Sequence, residues 1–319
     1  MRGLFFCLPV FLLLINTKAF ALDKKASLTL SHYIMALMYD RLGEVDRAIQ
    51  EYKKALKVDY KNSAIHLNLA SSYIKKNELD KAVEELNLTV SFDPEAVEPH
   101  AILGLLYSTQ NKIDAANREY EIALKNASKL QPENIDIYRT LGAMYLSQKK
   151  LPAAESTYRL ILTLSPNDAE AHFYLANIYD QQKNRARAES ELKKALELKP
   201  DYPDALNYLG YMYVEENKNL DQAEVMIRKA LEIDPDNGAY IDSLGWFYFK
   251  QDKIKEALKE LERASSLLED PVIYGHLGDA YFKTGDKANA KSNWEKSLKL
   301  DAQQTEIKEK LEKLEKLNK

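Results

Sequence analysis

Leu175-Ala-Asn-Ile-Tyr-Asp-Gln-Gln-Lys-Asn-Arg-Ala-Arg-Ala-Glu-Ser-Glu-Leu-Lys-Lys-Ala195 holds two short series of apolar residues at helical spacing, separated by the polar turn Gln181 to Asn184. The stretch therefore reads as a helix hairpin. Its tyrosine, Tyr179, is one of a series: Tyr39, Tyr73, Tyr107, Tyr145, Tyr179, Tyr213, Tyr248 and Tyr281 follow one another at intervals of 34, 34, 38, 34, 34, 35 and 33 residues. A period of this length marks an array of stacked supersecondary units, because one hairpin cannot bury its own apolar face.

Three residues before each tyrosine stands alanine or glycine: Ala36, Ala70, Gly104, Gly142, Ala176, Gly210, Gly245 and Gly278. About nine residues after it comes alanine again, from Ala48 to Ala290, and four further on a large apolar residue such as Tyr52, Tyr120, Ile227, Leu261 or Trp294. Small residues let the two helices of a hairpin approach, and the large ones fill the seam. Proline follows closely on the second helix at Pro94, Pro166, Pro200 and Pro235, where the missing N–H and the restricted predecessor stop it.

This order of leucine with glycine or alanine, then tyrosine, alanine, a bulky residue, alanine and proline resembles the tetratricopeptide repeat. The resemblance covers almost the whole chain after residue 28 and implies an all-α solenoid: eight hairpins in a right-handed superhelix closed by a capping helix. Three units are expected over residues 29–130 and five over 135–304, with 22–28 as a lead-in. Residues 131–134 read as an insertion. The tail 305–319 repeats Ile307, Leu311 and Leu314 on one face, as expected of a helix that covers the last seam.

Residues 1–21 differ from the rest. Arg2 precedes an apolar run from Leu4 to Ile15 and a small-x-small site at Ala19-Phe20-Ala21, the pattern of a secretory signal peptide cleaved after Ala21. The run is shorter than the roughly 20 residues of a spanning helix. A periplasmic or secreted location is expected, with membrane association only if the signal stays uncleaved. The one cysteine, Cys7, would leave with the signal. Arg2 and Lys18 would leave too, so 43 basic residues against 49 acidic ones give −6 in place of −4. That balance argues against nucleic acid as a partner.

Four histidines, His32, His66, His100 and His172, share one repeat position, and His276 lies two positions later in its unit. Neighbouring hairpins stand about 8–10 Å apart, too far for such residues to share a metal ion. Packing or an interhelical hydrogen bond is expected of them. No phosphate loop, dinucleotide fingerprint, zinc-protease or serine-hydrolase motif occurs, and no catalytic, metal or cofactor residue is assigned.

The resemblance further implies a concave groove lined by the first helix of each unit. Mapped onto the later units, its positions hold Phe173, Asn177, Asn207, Tyr211, Asp242, Trp246, Phe249, Asp279 and Phe282. Large rings with few rotamers, interspersed with amide and carboxylate groups, suit a surface that grips an extended peptide or a partner helix. Tyr211 and Trp246 are expected at its centre, with Asn177 and Asn207 serving the partner's backbone. In the first three units the same positions hold Leu37, Ser71, Leu105, Ser108 and Thr109, a blander set. With Leu206-Asn-Tyr-Leu-Gly-Tyr211, Asn219-Leu-Asp-Gln-Ala-Glu224 and Asp242-Ser-Leu-Gly-Trp-Phe-Tyr248, residues 204–264 resemble a group of bacterial envelope repeat proteins that act as adaptors. The expectation is thus a non-enzymatic scaffold for envelope or exopolysaccharide assembly. Two rivals stand beside it: a membrane-tethered adaptor, and an enzyme using an acidic groove around Asp242 and Asp279.

Overall fold

A computed structural model describes residues 17–317, and among them are seventeen α-helices and no strand. Residues 1–16, which carry most of the signal-peptide expectation, lie outside the described residues. In chain order the helices pair as α1 (Thr17–Arg41) with α2 (Val45–Val58), α3 (Ser63–Lys75) with α4 (Leu79–Phe92), and α5 (Val97–Thr109) with α6 (Ile113–Leu130). Then come α7 (Ile135–Ser147), α8 (Leu151–Leu164), α9 (Ala169–Gln181), α10 (Arg185–Leu198), α11 (Pro203–Glu215) and α12 (Leu220–Ile233). The last are α13 (Gly238–Lys250), α14 (Ile254–Leu267), α15 (Pro271–Thr284), α16 (Lys287–Leu300) and α17 (Thr305–Leu317). The chain divides into two compact units within α7, one ending at Met144 and the other beginning at Tyr145.

Helix ends follow the local chemistry. Helices α4, α8, α10 and α12 each stop two residues before a proline. The next helix starts on a side-chain cap in several units: Asp168 accepts from the Ala171 N–H at 2.9 Å, and Asp270 from the Val272 N–H at 2.7 Å. Between the helices of a pair every repeat has a left-handed residue: Gly43, Asn77, Asn111, Lys149, Lys183, Asn217, Asp252 and Gly285, with φ between 51° and 83°, and the sixth repeat adds Asn219 at 49°. This turn lets the repeated tyrosine's carbonyl accept an N–H five residues on, as Tyr179 does from Asn184 at 2.8 Å.

The small slots are filled as the sequence demands. A Cβ on Gly104 would stand 2.7 Å from the Tyr120 ring, one on Gly210 2.8 Å from Ile227, and one on Gly245 2.7 Å from Leu261. On Gly278 it would run into Trp294. The partners of these glycines are the bulky residues of the second helix, and Ile227, Leu261 and Trp294 are buried. Full burial of each such side chain contributes about 1.5–3 kcal/mol. A cation lies over the repeated tyrosine in unit after unit, from Arg47 at 5.6 Å above Tyr39 to Lys218 at 5.5 Å above Tyr213.

Two local features differ from the sequence reading. The four extra residues do not form a separate insertion at 131–134; they lengthen α6 to 18 residues where its counterparts have 14, and Gln131 to Asn134 make an ordinary connector. Nor is 22–28 a distinct lead-in, since α1 runs through it. At the other end α17 covers the last seam: Ile307 and Leu314 are buried against Ala290 and Trp294.

Candidate functional site

All nine groove residues expected from the sequence lie in the unit that begins at Tyr145, on α9, α11, α13 and α15. Spacings of three and four residues put Asn207, Tyr211 and Glu215 on one face of α11, and Asp242, Trp246 and Phe249 on one face of α13. Residues one repeat apart on neighbouring first helices become lateral neighbours. Asp242 and His276, 34 residues apart, are such a pair: Nδ1 of His276 lies 2.9 and 3.0 Å from the two carboxylate oxygens. The carboxylate holds the proton on Nδ1, which donates.

The His276 ring in turn stacks on Trp246, with centroids 3.9 Å apart and planes at 13°. Trp246 stacks on Phe249 at 4.7 Å and 5°, and its Nε1–H donates to Glu215 Oε1 at 2.5 Å. These contacts fix the indole and leave it 8% exposed, while Asp242 is 5% exposed. Trp246 and Asp242, expected at the groove, are therefore its floor and wall rather than projecting anchors. Tyr211 and Phe249 are half-buried, and Phe282 is 41% exposed.

Three concavities follow one another along these helices. The first, of about 320 Å³, is walled by Phe173, Tyr208, Tyr211 and Tyr240, with Asn207, Asp204, Asp242 and Asp270 among its polar lining. The second, of about 440 Å³, shares Tyr211 with the first and adds Trp246, His276, Glu215 and residues of α17 and the turn before it. The third, of about 210 Å³, is formed by Phe249, Phe282 and Trp294 beneath Lys283, Lys310 and Lys313, and shares Asp279 and Lys310 with the second. Asn177 lines none of these three. Its Oδ1 accepts from Gln181 Nε2 at 2.7 Å, a bond within its own helix.

Charge is distributed unevenly. Burial, with Glu215 and Asp242 nearby, pushes the Tyr211 phenol up and keeps it neutral. Burial does the same for Tyr208, whose hydroxyl donates to Asp180 at 2.8 Å. Asp279 is fully engaged: one oxygen accepts from Trp294 Nε1 at 3.0 Å, the other from Lys310 Nζ at 2.7 Å. Burial opposes the charge on Lys310, but Asp279 and Glu306 outweigh it and hold the ammonium above its ordinary range. Among the described residues no group of three or more His, Asp or Glu is placed to hold a metal ion.

The shared histidine slot shows what a seam histidine does. His32, His66, His100 and His172 each place Nδ1 2.6–2.7 Å from a glutamate nineteen residues on, across the seam of their own hairpin. His276 instead reaches the neighbouring first helix and lines a pocket. Sequence reasoning noted its displaced position and missed its partner, although the 34-residue separation was the signal.

Sequence models of the tetratricopeptide repeat match residues 41–106, 146–210 and 181–244, and further models of the same repeat match 103–169 and 272–304. The chain belongs to the tetratricopeptide repeat family. No curated protein matches it. Among solved structures, a tetratricopeptide repeat protein from Parabacteroides merdae is similar over 79% of this chain and 98% of its own, at 21% identity and a TM-score of 0.59. A chain of the APC/C hetero-tetramer Cut9–Hcn1 is similar over 85% of this chain and 52% of its own, at 19% identity and 0.57. At such identities the likeness is one of fold. Tetratricopeptide repeats make protein–protein interaction scaffolds, and members of the family are generally non-enzymatic. No described helix is long and apolar enough to cross a membrane.

Proposed function

We propose that the chain is a periplasmic or secreted adaptor that holds an extended peptide or partner helix along α11, α13 and α15, in envelope or exopolysaccharide assembly. The observation that carries the binding surface is the continuity of the three concavities through Tyr211, Asp279 and Lys310. Aromatic walls interrupted by a few oriented polar groups are the composition of surfaces that take up side chains. The stack of His276, Trp246 and Phe249 contributes by rigidity, because rings already ordered lose little entropy when a partner docks. The location rests on the pattern of residues 1–21, and the adaptor role on the resemblance of residues 204–264 to envelope repeat proteins.

The scaffold is preferred to the rival enzyme because the family is generally non-enzymatic and because both carboxylates named for that rival already have partners, Asp242 in His276 and Asp279 in Trp294 and Lys310.

A photoreactive benzoylphenylalanine placed at Tyr211, at Phe282 or at Leu105 in the native cell tests the surface. The first two positions should capture one and the same partner, and the third should not. Capture from Leu105 alone would place the surface in the other unit. N-terminal sequencing of the native protein tests the location: the proposal requires Leu22 as the first residue.

A further inference from the structure

The first concavity has a property the others lack: no lysine, arginine or histidine lines it. Its charged lining consists of Asp204, Asp242 and Asp270, and its walls are the faces and edges of aromatic rings. Asn207 adds an amide whose Oδ1 is buried without a hydrogen-bond partner. The concavity thus presents acceptors and π-faces together, with no lysine or arginine in its lining. Arg185, whose charge acts on Tyr208 and Tyr211, is held by Asp180 at 2.9 Å and does not line the concavity.

The three carboxylates are engaged, but none by a lysine or arginine. Asp242 faces the His276 ring, Asp270 caps α15, and Asp204 accepts from the Tyr240 hydroxyl at 2.5 Å. The donors to Asp204 and Asp270, a phenol and backbone amides, are neutral and leave most of those two carboxylates' charge in place. The phenols are kept protonated by burial and by these same carboxylates, so they add no charge of their own.

We infer that this concavity is a receptor for one basic side chain of the partner, an arginine guanidinium or a lysine ammonium. A planar guanidinium lies flat on an aromatic face and still reaches acceptors at its rim. Carboxylate oxygens at the rim gain most from such a donor, because charge-assisted hydrogen bonds are the stronger kind. The third concavity has the reverse character. Its apolar floor sits beneath three lysines, and Lys313 makes no ion pair among those described. The basic side chain therefore belongs at the α11 end of the surface and not at the α17 end. This inference rests on the proposed binding surface and names the chemistry of its occupant.

The test uses the full chain and a defined probe, N-acetyl-arginine amide, titrated at low salt against the side-chain amide of Asn207 and the backbone amides of Ala239 and Ser243 by NMR. Citrulline amide, its neutral isostere, is the control. The arginine probe should produce saturable shifts confined to this concavity, at least five-fold weaker with citrulline. The double variant Asp204→Asn with Asp270→Asn should weaken arginine binding by a similar factor, and its cap should survive because asparagine caps as well as aspartate. Equal binding of the two probes would overturn the inference, as would unsaturable shifts scattered over the surface. Neither result touches the photocapture experiment: a partner caught at Tyr211 without a basic residue there would refute the basic receptor and leave the adaptor standing.

Discussion

The unit ending at Met144 and the unit beginning at Tyr145 use the same repeat and differ in what stands on its first helices. In the earlier unit the groove positions carry Ser71, Ser108 and Thr109, with Leu37 packed against the core and Leu105 56% exposed, and none of these lines the three concavities described. Its histidines are all closed inside hairpin seams. In the later unit these positions carry Tyr211, Trp246, Phe249 and Phe282, and a histidine has left the seam to pair with Asp242 on the groove wall. The lesson is that seam slots and groove slots are separate alphabets on one helix. A repeat can keep the first unchanged while the second takes on a binding chemistry.

If the seams are equivalent, overpacking them should cost the same in both units, and this is the largest effect expected. Gly104→Leu would drive its side chain into Tyr120, and Gly210→Leu into Ile227 and the Ala223 carbonyl oxygen, which is backbone and cannot move aside. Each should lower unfolding free energy by about 3 kcal/mol in chemical denaturation. A loss confined to one variant would break the equivalence.

Seam and groove histidines should separate next. His66 is 1% exposed and bonded to Glu85 and to the Tyr60 carbonyl. Burial disfavours its charge, yet these two bonds prevail and raise its pKa. His66→Leu leaves the Glu85 oxygen that faced the ring without it, and should cost about 2 kcal/mol. Since the folded pKa is raised, the extra stability from protonated His66 is fully present below the unfolded value, about 6.5, and is lost as pH rises through the folded one. The wild-type advantage over His66→Leu should therefore shrink from pH 6 upward in thermal melts. An advantage that grows with pH would mean that the ring is neutral in the fold.

A smaller effect concerns the turns. Lys183 holds φ at 62° where five of the other repeats have glycine or asparagine. Lys183→Gly should relieve the left-handed penalty, partly offset by the greater freedom of glycine when unfolded, and stabilise by about 0.5–1 kcal/mol. A destabilised variant would show that the lysine side chain contributes more than its backbone costs.

The fold was legible because it is written several times over: eight tyrosines, eight small slots and recurring prolines each give the same register. The extra turn of α6 was harder, since four added residues fit a helix or a loop equally well in sequence. For the candidate site, helical spacing brought Phe173, Asn207, Tyr211 and Phe282 to the concavities. Spacing alone could not show that Trp246 is held down by Glu215 and His276, nor that Asn177 turns to Gln181. Those outcomes depend on which neighbour each side chain meets. Lys310 and Lys313 were missed for another reason: they come from the capping helix, whose charged face reads as solvated until its packing on α15 and α16 is seen.

The central claim is that binding belongs to the aromatic surface of the later unit. Once photocapture has supplied the partner, its affinity should be measured for Phe282→Ala and Leu105→Ala, both exposed positions whose loss leaves the seams intact, with melting temperatures recorded for each. Phe282→Ala should weaken binding by about 2 kcal/mol, roughly thirtyfold, and Leu105→Ala should leave it within twofold. The opposite order, at unchanged melting temperatures, would contradict the account.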